Sequence, residues 1–94
     1  MHFARQTHDA IADGRVDLTF RLWSRPQAKV GGTYRVGAVT IEVDEMELVP
    51  FGTVTAAEVK RSGYADREAL RAITAHAGPV DDDTLVYRIA FHVA

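Results

Sequence analysis

From Val16 to Trp23 apolar and polar positions alternate. Val16, Leu18, Phe20 and Leu22 fall on one side, and Asp17, Thr19, Arg21 and Trp23 on the other. That period of two predicts a strand with one core face. The second face is unusual in carrying a hydroxyl, a guanidinium and an indole in a row. "TYRVG" at 33–37 and "AVTIEVDEMELV" at 38–49 predict two further strands. In the latter, Val39, Ile41 and Val43 alternate with Thr40, Glu42 and Asp44, and then the pattern slips, which predicts a bulge near Asp44 to Met46. "TLVYRIAFHV" predicts a last strand, with Leu85, Tyr87, Ile89 and Phe91 on one face and Arg88 and His92 on the other.

Helical signals occupy the gaps. "RQTHDAIADG" predicts a short helix with Ala10 and Ile11 on its apolar side and Gly14 as a left-handed stop. "SRPQAKVGG" is a loop, because Pro26 cannot donate a ladder hydrogen bond and Gly31-Gly32 turns easily. Thr55 and Glu58 form a capping-box pair at the start of "TAAEVKRSG". Asp66 caps "REALRAITAHAG", which Gly78 ends. The order is helix, three strands, two helices, strand. It predicts an α+β fold, a small mixed β-barrel with short helices packed on it. Val16, Leu18, Phe20, Leu22, Ile41, Val43, Tyr87, Ile89 and Phe91 are expected to form one core.

Composition narrows the class. Ninety-four residues, 47% hydrophobic and 26% charged, suit one soluble domain over residues 1–94. No cysteine is present, so disulfides and thiolate metal sites are excluded. The start "MHFARQTHDAIADG" lacks a signal-peptide core and no apolar run reaches membrane-spanning length, which predicts a cytoplasmic chain without a membrane partner. The net charge of −2 argues against a general nucleic-acid coat protein. Its distribution is uneven. Residues 1–37 hold six basic and three acidic groups, and residues 38–94 five basic and ten acidic. Leu18 to Gly37 holds four basic residues and no acid. A basic patch on an acidic body suits a local anionic ligand, unless acids of the second half neutralise it in the fold.

The segments, in order, carry a resemblance. A helix ending in "DG", then "VDLTFR", "VGGTYRVG", an acidic-apolar strand, "AAEVKRSGYADREALR" and a final "YRIAFH" resemble the ASCH domain of the PUA-like superfamily along nearly the whole chain. The resemblance implies a cleft between barrel and helices that accepts RNA or a modified nucleoside. Relatives in that family are RNA-binding modules, ribonucleases and an amidohydrolase acting on acetylated cytidine with a Lys, a Thr and a Glu. The Thr corresponds to Thr19. The Lys position holds Val16, and the Glu position falls near Gly63 or Tyr64, where no acid stands. Amide hydrolysis needs an activated nucleophile and a base, so this activity is disfavoured unless Glu58 or Asp66 substitutes.

The candidate binding residues are therefore Arg5, Thr19, Arg21, Trp23, Arg25 and Lys29, with Thr19, Arg21 and Tyr64 as the weaker catalytic candidates. Each has a plain alternative. Thr19 reads equally as an ordinary strand residue. Arg21 can pair with Glu42 or Glu47. Trp23 can stack on a base, but the sequence leans towards packing. Arg25 and Lys29 are either solvated or phosphate contacts. Tyr64 can cap the cleft or pack. Metal-free RNA cleavage is the runner-up, and would need Arg5, His8, Arg21, Tyr64 and His92 to converge. A non-catalytic interaction module, monomeric or homodimeric through "LVPFG", is a third reading. No cofactor and no metal is expected: His8 and His92 lack ligand company, and "DDD" at 81–83 reads as a solvated turn.

Overall fold

The computed structural model describes all residues, 1–94. The helix α1 spans His8–Ala12 behind a 3₁₀ turn at Arg5–Thr7, and Gly14 at φ +84 stops it as predicted. The strands are β1 (Leu18–Arg21), β2 (Thr33–Val36), β3 (Val39–Pro50) and β4 (Leu85–Val93). Between β3 and β4 lie α2 (Ala56–Arg61) and α3 (Arg67–Thr74). The capping box at α2 is present in both directions: the Glu58 N–H donates to Thr55 Oγ1 (3.1 Å), and the Thr55 N–H donates to Glu58 Oε1 (2.9 Å). Asp66 Oδ1 accepts from the Ala69 N–H at 2.8 Å and starts α3.

All four strands join one antiparallel sheet in the order β1-β4-β3-β2. The fold is α+β as expected. The sheet is open, however, with β1 and β2 as its two edges, and no pairing between them closes it into a barrel. The predicted irregularity in β3 is a register shift between Val43 and Glu45, which leaves Asp44 unpaired.

That one extra residue changes which side chains share a face. Paired residues point the same way across a sheet, so Ile41, Val43, Phe91, Ile89 and Thr19 lie on one side. Strict alternation along β3 would put Glu45 and Glu47 there too. The shift at Asp44 turns them over. Met46 now pairs with Ile89 and Leu48 with Tyr87, while Glu45 pairs with Ala90 and Glu47 with Arg88.

The single expected core is two clusters, one per face. Leu18, Phe20, Val86 and Ala90 pack beneath Val59 of α2 and Leu70 of α3, together with Phe51, Val54 and Val80. Ile41 and Phe91 pack with Val16, Val36, Ile11 of α1 and Phe3. The one-faced reading of β4 fails because elements pack on both sides of the sheet, α2 and α3 on one and Phe3 with α1 on the other. Both of its faces are buried: Val86 and Ala90 on one side, Ile89 and Phe91 on the other. No helix is long and apolar enough to cross a membrane.

Candidate functional site

Two arginines on neighbouring strands have opposite surroundings. Arg88, on the helix side of β4, is held by Glu58 at 2.5 Å and lies within 3.8 Å of Glu45 and 3.7 Å of Glu47. Arg21, on the other face of β1, has no carboxylate within salt-bridge reach. The bulge at Asp44 accounts for part of this difference, since it sends Glu45 and Glu47 to Arg88. The alternative pairing of Arg21 with Glu42 or Glu47 does not form. Arg21 Nε instead donates to Thr19 Oγ1 at 3.1 Å, and its guanidinium lies 4.7 Å from the centre of the Phe3 ring. Burial pulls its pKa down, with Tyr64 acting weakly in the opposite sense. An arginine nonetheless stays charged at neutral pH. It is a half-buried cation without a counter-charge.

The open side of Arg21 faces a cavity of about 400 Å³. Consecutive residues Thr19 to Trp23 line one wall, the N-terminal residues His2, Phe3 and Ala4 a second, and Leu70, Ile73, Thr74 and His76 a third. Phe3 is fixed in place by its edge-on contact with Phe91, with ring centres 5.5 Å apart, and by the His8 ring, whose Nε2 donates to the Phe3 carbonyl at 3.2 Å. Trp23 packs against Tyr87 at 5.8 Å and also lines the cavity, so packing and exposure to the cavity coexist. Burial raises the pKa of Tyr64, which keeps its phenol protonated and a donor at neutral pH.

A second cavity of about 600 Å³ adjoins the first. Ala4, Thr7, Ser62, Tyr64 and Ile73 border both. Its own walls include Gln6, Ala10, Arg15, Val16, Lys60 and Gly63. Neither cavity has an aspartate or glutamate on its lining, in a chain with thirteen of them.

Of the residues singled out from the sequence, Thr19, Arg21, Trp23 and Tyr64 come together. Arg5, Arg25 and Lys29 do not line either cavity. Arg5 is exposed on the 3₁₀ turn, and Arg25 and Lys29 are exposed on the loop after β1. The residues considered for RNA cleavage do not converge either. His8 is tied to Phe3, and His92 Nδ1 meets Asp44 Oδ1 at 2.7 Å on the exposed end of β4. His2 and His76, which carried no signal in the sequence, line the Arg21 cavity instead.

The amide-hydrolysis set lacks two of its three chemical groups. Val16 and Gly63 do lie side by side: a Cβ on Gly63 would stand 3.0 Å from Val16 Cγ2. Neither has a group that moves a proton. Glu58 serves Arg88, Asp66 caps α3, and neither borders the cavities. The "LVPFG" contact is also reduced, because Phe51 is fully buried beneath Arg71, and Leu48 alone of its large side chains is strongly exposed. In "DDD", Asp82 is not free: it accepts from Arg71 at 2.6 Å.

The architecture is that of an ASCH-type domain. The chain superposes on the crystal structure of an ASCH domain from Lactobacillus crispatus JV V101 with a TM-score of 0.80, at 16% identity, over 99% of this chain and 76% of that one. A protein from Enterococcus faecalis V583, assigned to DUF984, superposes with a TM-score of 0.69, at 15% identity, over 98% of this chain and 76% of that one. No family model and no curated protein matches the sequence.

Proposed function

We propose that residues 1–94 act as one ASCH-type domain that binds RNA or a nucleotide-like anion in the cavity beside Arg21, as a monomer or homodimer in the cytoplasm. One observation carries the reading: Arg21 is a half-buried charge with no carboxylate partner, aimed into a cavity with no acid on its walls. Burying an unpaired charge costs stability, and a phosphate would supply the missing partner. Trp23 and Tyr64 give aromatic surface for a base, and stacking on such surface contributes about 1–3 kcal/mol per base. The ASCH-type fold agrees with this reading.

The test uses Arg21→Ala with two readouts, oligoribonucleotide affinity and thermal stability. Affinity should fall, while stability changes by less than about 1 kcal/mol, the value of the lost contact with Phe3. A parent that binds no RNA, combined with a strongly destabilised variant, would assign Arg21 to the fold alone.

A second reading, metal-free RNA cleavage, rests on His2 and His76 beside Arg21. Two imidazoles and a guanidinium are the groups that reaction uses. Turnover of an oligoribonucleotide that His76→Ala abolishes, with binding retained, would favour it over simple binding.

A further inference from the structure

We infer that the two adjoining cavities form one binding groove with two nucleotide subsites, and that the natural ligand is a single-stranded stretch of at least two nucleotides rather than a mononucleotide. The inference rests on the reading of Arg21 as a phosphate partner. The first subsite is the aromatic one, with Trp23 and Arg21. The second is the larger chamber, where Lys60 and Arg15 stand on the rim. Each chamber is in the size range of a small-ligand site, so one nucleotide fills one chamber and leaves the other empty.

The wall between them supports continuity. Tyr64 borders both chambers, and the other shared residues, Ala4, Thr7, Ser62 and Ile73, are small or medium in size. A strand crossing there passes the Tyr64 phenol, a hydrogen-bond donor at neutral pH. The electrostatics agree along the whole path. Lys60 makes no ion pair, and Arg15 has a single exposed partner, Asp13 at 2.8 Å. Acidic side chains are absent from both linings and crowd instead into a separate cavity of about 330 Å³ around Arg88, where Glu45, Glu47 and Glu58 meet. A mononucleotide has no use for cations at both ends of such a path. A phosphodiester chain does.

Gly63 adopts φ +93 and has no side chain, which keeps the chamber open beside Val16. A Cβ at this position would stand 3.0 Å from Val16 Cγ2.

The experiment compares uridine monophosphate, the dinucleotide UpU and a tetrauridylate, on the wild type and on Lys60→Ala and Arg21→Ala, across a salt series. The wild type should bind the tetrauridylate at least ~10-fold more tightly than the mononucleotide. Its log-affinity should fall with log-salt at a slope near −2, as for about three neutralised phosphates on a single strand. Lys60→Ala should reduce that slope by about 0.7 and weaken the tetrauridylate, leaving the mononucleotide unchanged. Arg21→Ala should weaken all three probes. Equal affinity for all three in the wild type, with no effect of Lys60→Ala, would overturn the second subsite and leave the single-cavity reading intact. Failure of every probe to bind the wild type would overturn the reading of Arg21 and this inference with it. A melting curve on Lys60→Ala, an exposed position, confirms that any loss is local.

Discussion

Arg88→Ala is expected to be the most damaging charge removal in the molecule. The Arg88 side chain is 16% exposed and that of its partner Glu58 is 18% exposed. Removing one member of a buried ion pair costs about 3–5 kcal/mol, because the other charge stays behind unpaired. Two features adjust that figure. Glu58 keeps the Thr55 N–H as a donor, which lowers the loss. Glu45 and Glu47 remain nearby as like charges, which raises it. A loss of about 2–4 kcal/mol follows, equivalent to a fall of about 10–25 °C in Tm for a domain of this size.

Urea denaturation at pH 7 and at pH 4.5 tests the cause as well as the size. In the wild type, burial pushes the Glu58 carboxyl up, but the Thr55 N–H and Arg88 outweigh it and hold the pKa below its ordinary value. That stabilisation is present above the unfolded pKa and is lost as pH falls through the folded one. In the variant the lowering by Arg88 is gone while burial and two neighbouring carboxylates remain, so protonation costs its folded state less. Both effects narrow the gap on acidification. The double variant Arg88→Met with Glu58→Gln, which keeps the capping geometry, should lie within about 1.5 kcal/mol of the wild type. A single-variant loss below 1 kcal/mol, or a deficit unchanged between the two pH values, would refute the argument.

Three further outcomes follow from the same geometry. Gly63→Ala should destabilise by about 1–3 kcal/mol, since φ +93 is strained for alanine and its Cβ would press on the buried Val16, read as a lowered urea midpoint. Acetylcytidine should not be deacetylated detectably by chromatographic assay, because Val16 and Gly63 offer neither a base nor a nucleophile; turnover abolished by Thr19→Ala would contradict this. Wild-type stability should decline as pH falls below about 4, because Arg71 also holds the Asp82 carboxyl below its ordinary value, and Glu58→Gln should flatten the decline.

Local chemistry was legible in the sequence. The Thr55–Glu58 box, the Asp66 cap, the Gly14 stop and the slip at Asp44 each depend on residues within a few positions, and each appears in place. What depended on tertiary placement was less legible. The apolar run of β4 reads as one buried face only if one side of the sheet is covered, and both are, by α2 and α3 on one side and by Phe3 and α1 on the other. Barrel closure required a β1–β2 pairing that strand patterns do not specify. For the site, Thr19, Arg21 and Trp23 followed from their shared spacing, and Tyr64 from the resemblance. Arg25 and Lys29 matched in charge alone, and the loop carries them away from the cavities. The isolation of Arg21 from carboxylates could not be read at all. It depends on a bulge in β3 that turns Glu45 and Glu47 towards Arg88, and on pairing between segments far apart in the chain.

On the proposed reading Arg21 binds an anion, and Trp23 is placed to report it. Trp23 is the only tryptophan in the chain and it lines the same cavity as Arg21. Its fluorescence should therefore change saturably as a tetrauridylate is added, with an affinity that weakens as salt rises from about 50 to 200 mM and is lower in Arg21→Ala. A Trp23 signal that does not respond to the oligonucleotide at low salt, or responds identically in Arg21→Ala, would contradict the account.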